Sequence, residues 1–397
     1  GNDCKYNFIM SANLNNVIKR EFHRIAERKT LYLLMILLPV FIYVLYASIY
    51  RQEILRELPV AVLDEDHSEL SRRIIELIES SPSMKVVKYV VSQKEIKDGF
   101  LNGEIQGAFY FPKDFEYQVK KGKSSTVVVY KNTSNLVVGN TLLKDASTII
   151  KSASGAALIT KLGKTGVPAN SGMNIANAVK VDTQILYNPN YSYSNFLVPG
   201  LLGFTLQMMI MIASVIVISS EFTHNTFEEL LKISGNSVWN ILIGKAFPHF
   251  IIHCATALLI VGIIFPLFDI KVLGSIPSLL FLFALFILAN LMLGLMISSF
   301  FHDQFFATEL AVFFNTPGFI FSGFTFPLWS MPVVHNYIAM TMPFTHFLSA
   351  FLKVFQMNTP LSNCRNEILT LSGFIIVSST ALFFVLKHHQ NKIKIVE

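Results

Sequence analysis

Few residues in this chain could do covalent or metal chemistry, and most fail on spacing. His249 and His253 stand at i, i+4 and would share one helix face, as paired zinc ligands do. No HExxH-type Glu lies between them and no third ligand follows at helical spacing, so no metal site is expected. Gly163-Lys164-Thr165 ends like a phosphate-binding loop, but the Gly required five residues before Gly163 is Leu158 here. Gly244-Lys245 fails in the same way, because Ala246 stands where Ser or Thr is needed. A nucleophile elbow of the G-x-S-x-G type is absent. The sequence therefore predicts no catalytic residue and no cofactor held by this chain.

A second group of polar residues sits inside apolar runs, where each is costly without a partner or a wet cavity. These are Gln207, Asn290, Glu309, Asn315 and Thr316. Asn315-Thr316-Pro317-Gly318 is expected to break its helix mid-membrane, which suits either a conduit lining or plain helix packing. Glu309 stands near a span end, where it can snorkel to the interface. The aromatic run Phe319, Phe321, Phe324, Phe326 and Trp329 suits the exit of an amphipathic substrate or an interfacial belt. Gln207, Asn315, Thr316, Phe319 and Phe324 are the candidate translocation-path residues.

The elements that must position these groups follow from composition. Of 397 residues, 52% are hydrophobic and only 15% charged, against about 25% charged in soluble domains; much of the chain does not face water. The 35 Phe residues suit lipid and helix contacts. The net charge of +6 gathers beside apolar runs, as the positive-inside rule expects, which argues against nucleic acid. Cys4, Cys254 and Cys364 are too scattered for a disulfide framework.

Residues 11–30 read as a basic amphipathic helix on the inner leaflet, with Leu14, Val17, Ile18, Phe22 and Ile25 in helical period. No small-residue cleavage site follows, so a cleaved signal peptide is not expected. Six transmembrane helices are expected: Leu31–Tyr50, Phe196–Ile218, Phe247–Phe268, Ser278–Phe300, Phe305–Phe324 and Asn366–Leu386. Pro39 should kink the first. Residues 51–195 alternate strand and helix patterns, predicting an inserted extracytoplasmic α/β or α+β domain. In that domain Gly163–Ala178 reads as a loop and Val179–Tyr187 as a strand. The Pro-rich stretch 325–363 reads as re-entrant or interfacial, and 387–397 as a cytoplasmic tail. Both termini are placed in the cytoplasm.

Between the second and third apolar runs lies Glu221–Lys245, with a short helix expected at about 223–235. Thr226 and Glu229 fit a capping box, Phe227, Leu230 and Leu231 make an apolar face, Glu228, Glu229 and Lys232 a charged one, and Gly235 a stop. The pattern suits either a docking helix or an interfacial one.

These stretches together resemble the type 2 ATP-binding cassette (ABC) exporter permeases, in the branch with a large domain after the first span. Asn188-Pro189-Asn190 with Phe196-Leu-Val-Pro-Gly200 is similar to the family's approach to the second span. Glu221 with Asn225-Thr226-Phe227-Glu228-Glu229-Leu230 resembles its E-x-x-x-G-T-x-E-x-L signature, and Gly244-Lys245 with Pro248 its G-K-x-x-P. Ser322-Gly323-Phe324 through Pro327, Met331-Pro332 and Met342-Pro343-Phe344-Thr345 resemble further elements, as do Pro59–Ser68, Leu70-Ser71-Arg72 and Gly103–Gly107 in the inserted domain. Asn225 departs from the family's usual Gly, though Asn tolerates the left-handed conformation.

The resemblance implies a permease without its own ATPase, paired with an identical or sister permease and with a cytoplasmic ATP-binding subunit carrying ATP and Mg. It makes the segment after the second span a coupling helix, with Glu221, Thr226, Phe227, Glu228, Leu230, Leu231 and Lys245 as its structural and contact residues. The expected function is export of a lipophilic or amphipathic substrate across a bacterial inner membrane, with a periplasmic adaptor left open. Two readings from other classes stand beside it: a receptor whose α/β domain binds ligand, and a proton-coupled secondary transporter using Glu309.

Overall fold

The computed structural model describes residues 2–49, 56–121, 123–134, 136–164, 187 and 193–396. The chain divides into two compact units, one of residues 1–53 with 187–397, the other Ile54–Leu186. The motif at Asn188–Asn190, all of the Gly163–Ala178 loop beyond Lys164 and nearly all of the Val179–Tyr187 strand lie outside the described residues.

The helical unit begins with α1 (Asn2–Glu27), longer than the expected 11–30 helix at its start. After α2 (Lys29–Tyr32) a π turn, Leu33–Leu37, leads into α3 (Leu38–Ile49). Pro39 brings no N–H to the ladder, and the wide turn falls where its missing bond would otherwise strain an α-helix. The second apolar run forms α8 (Tyr193–Thr223), which continues through Pro199 and past the expected end at Ile218. Next come α9 (Phe227–Ile233), α10 (Val238–Leu259), a π turn and the short α11 (Phe265–Leu267). The third apolar helix thus starts nine residues before Phe247, because Ser237 caps it through the Asn240 amide at 3.4 Å.

Beyond it lie α12 (Ile276–Phe300), α13 (Gln304–Phe321), α14 (Val333–Met340), α15 (Pro343–Met357) and α16 (Arg365–Val396). Among the described residues four helices are long and apolar enough to cross a membrane: Asn195–Thr223, Val238–Leu267, Ile276–Phe300 and Leu361–Ile393. A fifth is added if α14 and α15, bent by 84°, count as one broken span. That break falls within the stretch expected to be re-entrant.

One expectation fails at α13, which runs unbroken through Asn315-Thr316-Pro317-Gly318. The Asn315 amide donates to the Ala311 carbonyl at 2.9 Å and the Thr316 hydroxyl to that of Val312 at 2.7 Å. The helix tolerates Pro317 in its interior, as membrane helices allow.

Phe residues build the core of this unit. Phe283 and Phe286 of α12 interleave with Phe344, Phe347, Phe351 and Phe355 of α15, all buried. Phe286 and Phe347 stack at 4.0 Å. Between α8 and α12, Ser298 Oγ accepts from the Ile218 and Ser219 amides and donates to the Val215 carbonyl.

The second unit is a four-stranded sheet, β1 (Leu58–Asp64), β2 (Met84–Tyr89), β3 (Gly107–Phe111) and β4 (Val128–Lys131), in the order β2-β1-β3-β4. β1 is parallel to β2 and β3, whereas β3 and β4 run antiparallel. The crossovers are α4 (Glu69–Glu79) and α5 (Gln93–Leu101), each N-capped by a serine, Ser68 and Ser92. Alternation along β1 sends Val60 and Val62 to one face, against Ile74 and Ile78 of α4, and Ala61 and Leu63 to the other, with Ile96 of α5. α6 (Phe115–Lys120) and α7 (Leu136–Lys164) complete the first face, where Phe115 and Leu142 are buried. The four strands and their helices fall within residues 51–195, where the sequence alternates strand and helix patterns.

Candidate functional site

The site grows from how α9 is held at both ends. α8 stops in a Schellman motif: Asn225 adopts φ +54, its amide reaches the Phe222 carbonyl at 3.1 Å, and the Thr226 amide that of Glu221 at 2.8 Å. α9 stops the same way, with Gly235 at φ +66 and the Asn236 amide on the Leu231 carbonyl. Asn225 therefore makes the left-handed turn that Gly makes elsewhere. Phe227, Leu230 and Leu231 are buried, while Glu228, Glu229 and Lys232 face outward. The apolar face is the one that fastens α9 to its own bundle.

The expected capping box does not form. Thr226 makes no side-chain cap to its helix; its hydroxyl donates to Glu221 Oε2 instead. A fully buried carboxylate five positions back draws the hydroxyl as donor into a charge-assisted bond.

Glu221 is the centre of a buried ion-pair cluster. Arg20 of α1 reaches it with two nitrogens, Nη1 to Oε1 at 2.7 Å and Nη2 to Oε2 at 3.1 Å. Arg24 donates to Oε1 as well, and its other nitrogen to Ser220 Oγ at 2.7 Å. From α10, Lys245 Nζ donates to Glu221 Oε1 and to Glu21 Oε2. Glu21 also meets His249 Nε2 at 3.0 Å. Three cations, Arg20, Arg24 and Lys245, face the two carboxylates Glu21 and Glu221. Burial by itself would raise the Glu21 carboxyl, but Lys245, His249 and Arg24 outweigh it and hold the group well below the usual carboxylate range.

Close backbone approach makes this geometry possible. A Cβ on Gly244 would collide with Val17 of α1, and one on Gly235 with the Asn13 amide. On the far side of α9, the Gln390 amide of α16 donates to the Asn236 carbonyl at 2.6 Å. Phe227 packs on Phe222, beside His389. α1, the end of α8, α9 and the start of α10 are thus one connected block.

The predicted site residues separate into three places. Glu221, Thr226 and Lys245 join in the buried cluster, although Lys245 belongs to α10 and not to the short helix. Phe227, Leu230 and Leu231 anchor α9, and Glu228 stands free on its outer face. Of the path residues, Gln207 and Asn315 are buried against each other, Gln207 Nε2 donating to Asn315 Oδ1 at 2.7 Å. Phe319 and Phe324 pack together and on Phe204 and Phe196. Thr316 is exposed, as is Glu309. His249 touches Glu21, whereas His253 is buried with neither ring nitrogen bonded; among the described residues no group of side chains could hold a metal.

Sequence reasoning missed Glu21 and the partnership of Arg20, Arg24 and His249. A signal was present: Val17, Glu21 and Ile25 share one helix face by their i, i+4 spacing, which puts a carboxylate on the apolar side of a basic helix.

Long apolar helices, a broken helix pair and a buried charge cluster at the helix ends define a polytopic helical membrane protein. A family model described as ABC-2 family transporter protein matches residues 29–386, and the chain belongs to that family. It is similar to the probable multidrug ABC transporter permease YbhR of Escherichia coli K12, at 23% identity over 349 residues, 88% of this chain and 91% of the relative. YbhS of the same strain, also named a probable multidrug ABC transporter permease, is 23% identical over 336 residues, 82% and 83% of the two chains. The chain is an ABC transporter permease, a transport subunit and not an enzyme. Its family implies an ATP-binding cassette partner and a lipid bilayer around it.

Proposed function

We propose that the chain is the permease half of an ATP-driven exporter and that α9 is where the ATP-binding subunit docks. The observation that carries this is the buried Glu221 cluster. It fastens the end of α8 and the start of α10, the two flanks of α9, to α1, while Glu228 on the outer face stays open and Glu229, also exposed, lies 4.0 Å from Arg20. A push on that face moves α8 and α10 together, since rigid elements joined by buried ion pairs transmit displacement as a block.

In this reading six spans cross the membrane, α3 and α13 being the two beyond the four long apolar helices. Both termini lie in the cytoplasm of a bacterial inner membrane, and Ile54–Leu186 lies outside it. A second permease chain, identical or a sister, completes the pathway, and a periplasmic adaptor can meet the outer domain. The exposed α13 face carrying Thr316 borders the route, and the Gln207–Asn315 bond ties α8 to α13 beside it. Relatives named for multidrug transport favour lipophilic or amphipathic cargo.

The test is reconstitution of the chain with its ATP-binding subunit in liposomes. Glu228→Lys is expected to abolish most permease-dependent ATPase stimulation with membrane insertion unchanged. Full stimulation and coupled transport in that variant would remove α9's outer face as the docking surface.

A further inference from the structure

The Ile54–Leu186 unit carries a feature that the permease reading does not use. α4 leaves the carboxyl end of β1 toward one face of the sheet and α5 leaves that of β2 toward the other. In parallel α/β sheets the crevice opened by such a divergence, at the carboxyl ends of the strands, is where ligands bind. A crevice of about 740 Å³ lies at this place, between the ends of β1 and β2, α4 and Lys113. That volume falls in the range of small-molecule sites, roughly 300–1,000 Å³.

Its lining decides the ligand. Asp64, Glu65, Glu76 and Glu79 supply four carboxylates against two fixed cations, Arg72 and Lys113. Three of the four accept hydrogen bonds from within the unit. Asp64 accepts from the Asp66 and His67 amides and from the Ser71 hydroxyl, and Glu65 accepts from the Tyr110 hydroxyl. Glu76 and the second oxygen of Glu79 stay open, one turn apart on the exposed side of α4. Tyr89 faces them from the end of β2, its hydroxyl donating to Glu79 Oε1 at 2.7 Å while its side chain stays 60% exposed. Val91 beside it is 83% exposed. A carboxylate pair, an aromatic ring and an apolar rim together suit a cation carrying a hydrophobic body.

We infer that this crevice is a binding site for small amphipathic organic cations, with Glu76 and Glu79 holding the charge and Tyr89 and Val91 the apolar body. The excess of carboxylates disfavours anions there. This inference does not rest on the export reading, since it concerns binding to a unit that contains none of the coupling residues.

Ethidium, an aromatic organic cation, is the probe. It is titrated against the full chain in phosphatidylcholine nanodiscs and followed by fluorescence anisotropy, without ATP or the ATP-binding subunit. Saturable binding is expected, weakening as salt is raised. The Glu76→Gln/Glu79→Gln double variant is expected to weaken it about tenfold and flatten its salt dependence. Lys113→Gln, which removes a cation from the rim, is expected to tighten binding by about threefold. Wild-type affinity in the double variant would overturn the proposal, because binding would then lie elsewhere in the chain. So would weaker binding in Lys113→Gln, or the absence of saturable binding to the unmodified chain. Failure of Glu228→Lys to affect ATPase stimulation would leave these results untouched.

Discussion

Arg20 grips Glu221 with both terminal nitrogens, at 2.7 and 3.1 Å, across 201 positions of sequence. The pairing is fork to fork, which fixes direction as well as charge. Because Glu221 lies in the last turn of α8 and Arg20 on α1, this contact ties the N-terminal helix to the segment between the second and third apolar helices.

Glu221→Ala would leave Arg20, Arg24 and Lys245 facing a single buried carboxylate. Removing one partner from a buried ion pair costs about 3–5 kcal/mol. The expected result is a marked fall in the melting temperature of the detergent-solubilised chain, read by intrinsic fluorescence. Arg20→Lys keeps the charge but loses the fork, so a smaller fall is expected, with partial loss of ATPase stimulation.

Acid should loosen the same block. Glu21 titrates below its ordinary value of 4.5 in the folded chain. A depressed carboxylate contributes stability that is fully present above that ordinary value and is lost as pH falls through the folded one. Melting temperature should therefore decline as pH drops below 4.5. Glu21→Gln should start lower and show a shallower decline, and parallel curves for the two proteins would contradict the assignment.

The two faces of α9 should respond differently. Leu230 is fully buried, and Leu230→Ala is expected to cost about 2–5 kcal/mol and to lose coupling through detachment of the helix. Glu228→Lys, on the open face, should leave the melting temperature within about a degree or two of the unmodified chain while losing stimulation. Thermal melts and ATPase assays on the same preparations separate the two causes.

Gln207 and Asn315 form the buried hydrogen bond between α8 and α13. Interhelical bonds of this kind contribute on the order of 0.6–2 kcal/mol in membranes. A double-mutant cycle with Gln207→Leu and Asn315→Leu should return a coupling energy in that range. If the bond must open during transport, the single variants should also raise basal ATPase in the reconstituted complex.

Sequence determined the elements. The period-2 and period-3.6 patterns of residues 58–164 carry the sheet and its helices, because each strand and helix there must hide one face. The long apolar runs mark the membrane helices because no polar composition survives in hydrocarbon. The apolar face at Phe227, Leu230 and Leu231 and the left-handed stop at Gly235 were legible for the same local reasons, and so was the tolerance of Asn225 for a turn that Gly usually makes.

Partnership was not legible. Thr226 and Glu229 satisfy a capping box on spacing alone, yet the hydroxyl turns to donate to Glu221, a buried carboxylate brought close by the chain reversal. Asn315-Thr316-Pro317-Gly318 reads as a break, but α13 runs through it, because the surrounding helices hold its position where the local signal alone would end it. Lys245 and Glu21 are 224 positions apart, and a buried charge stays in place only where another element brings its counterion. Local sequence specifies which groups need partners, and only the packing of α1 between α8 and α10 decides which partners they get.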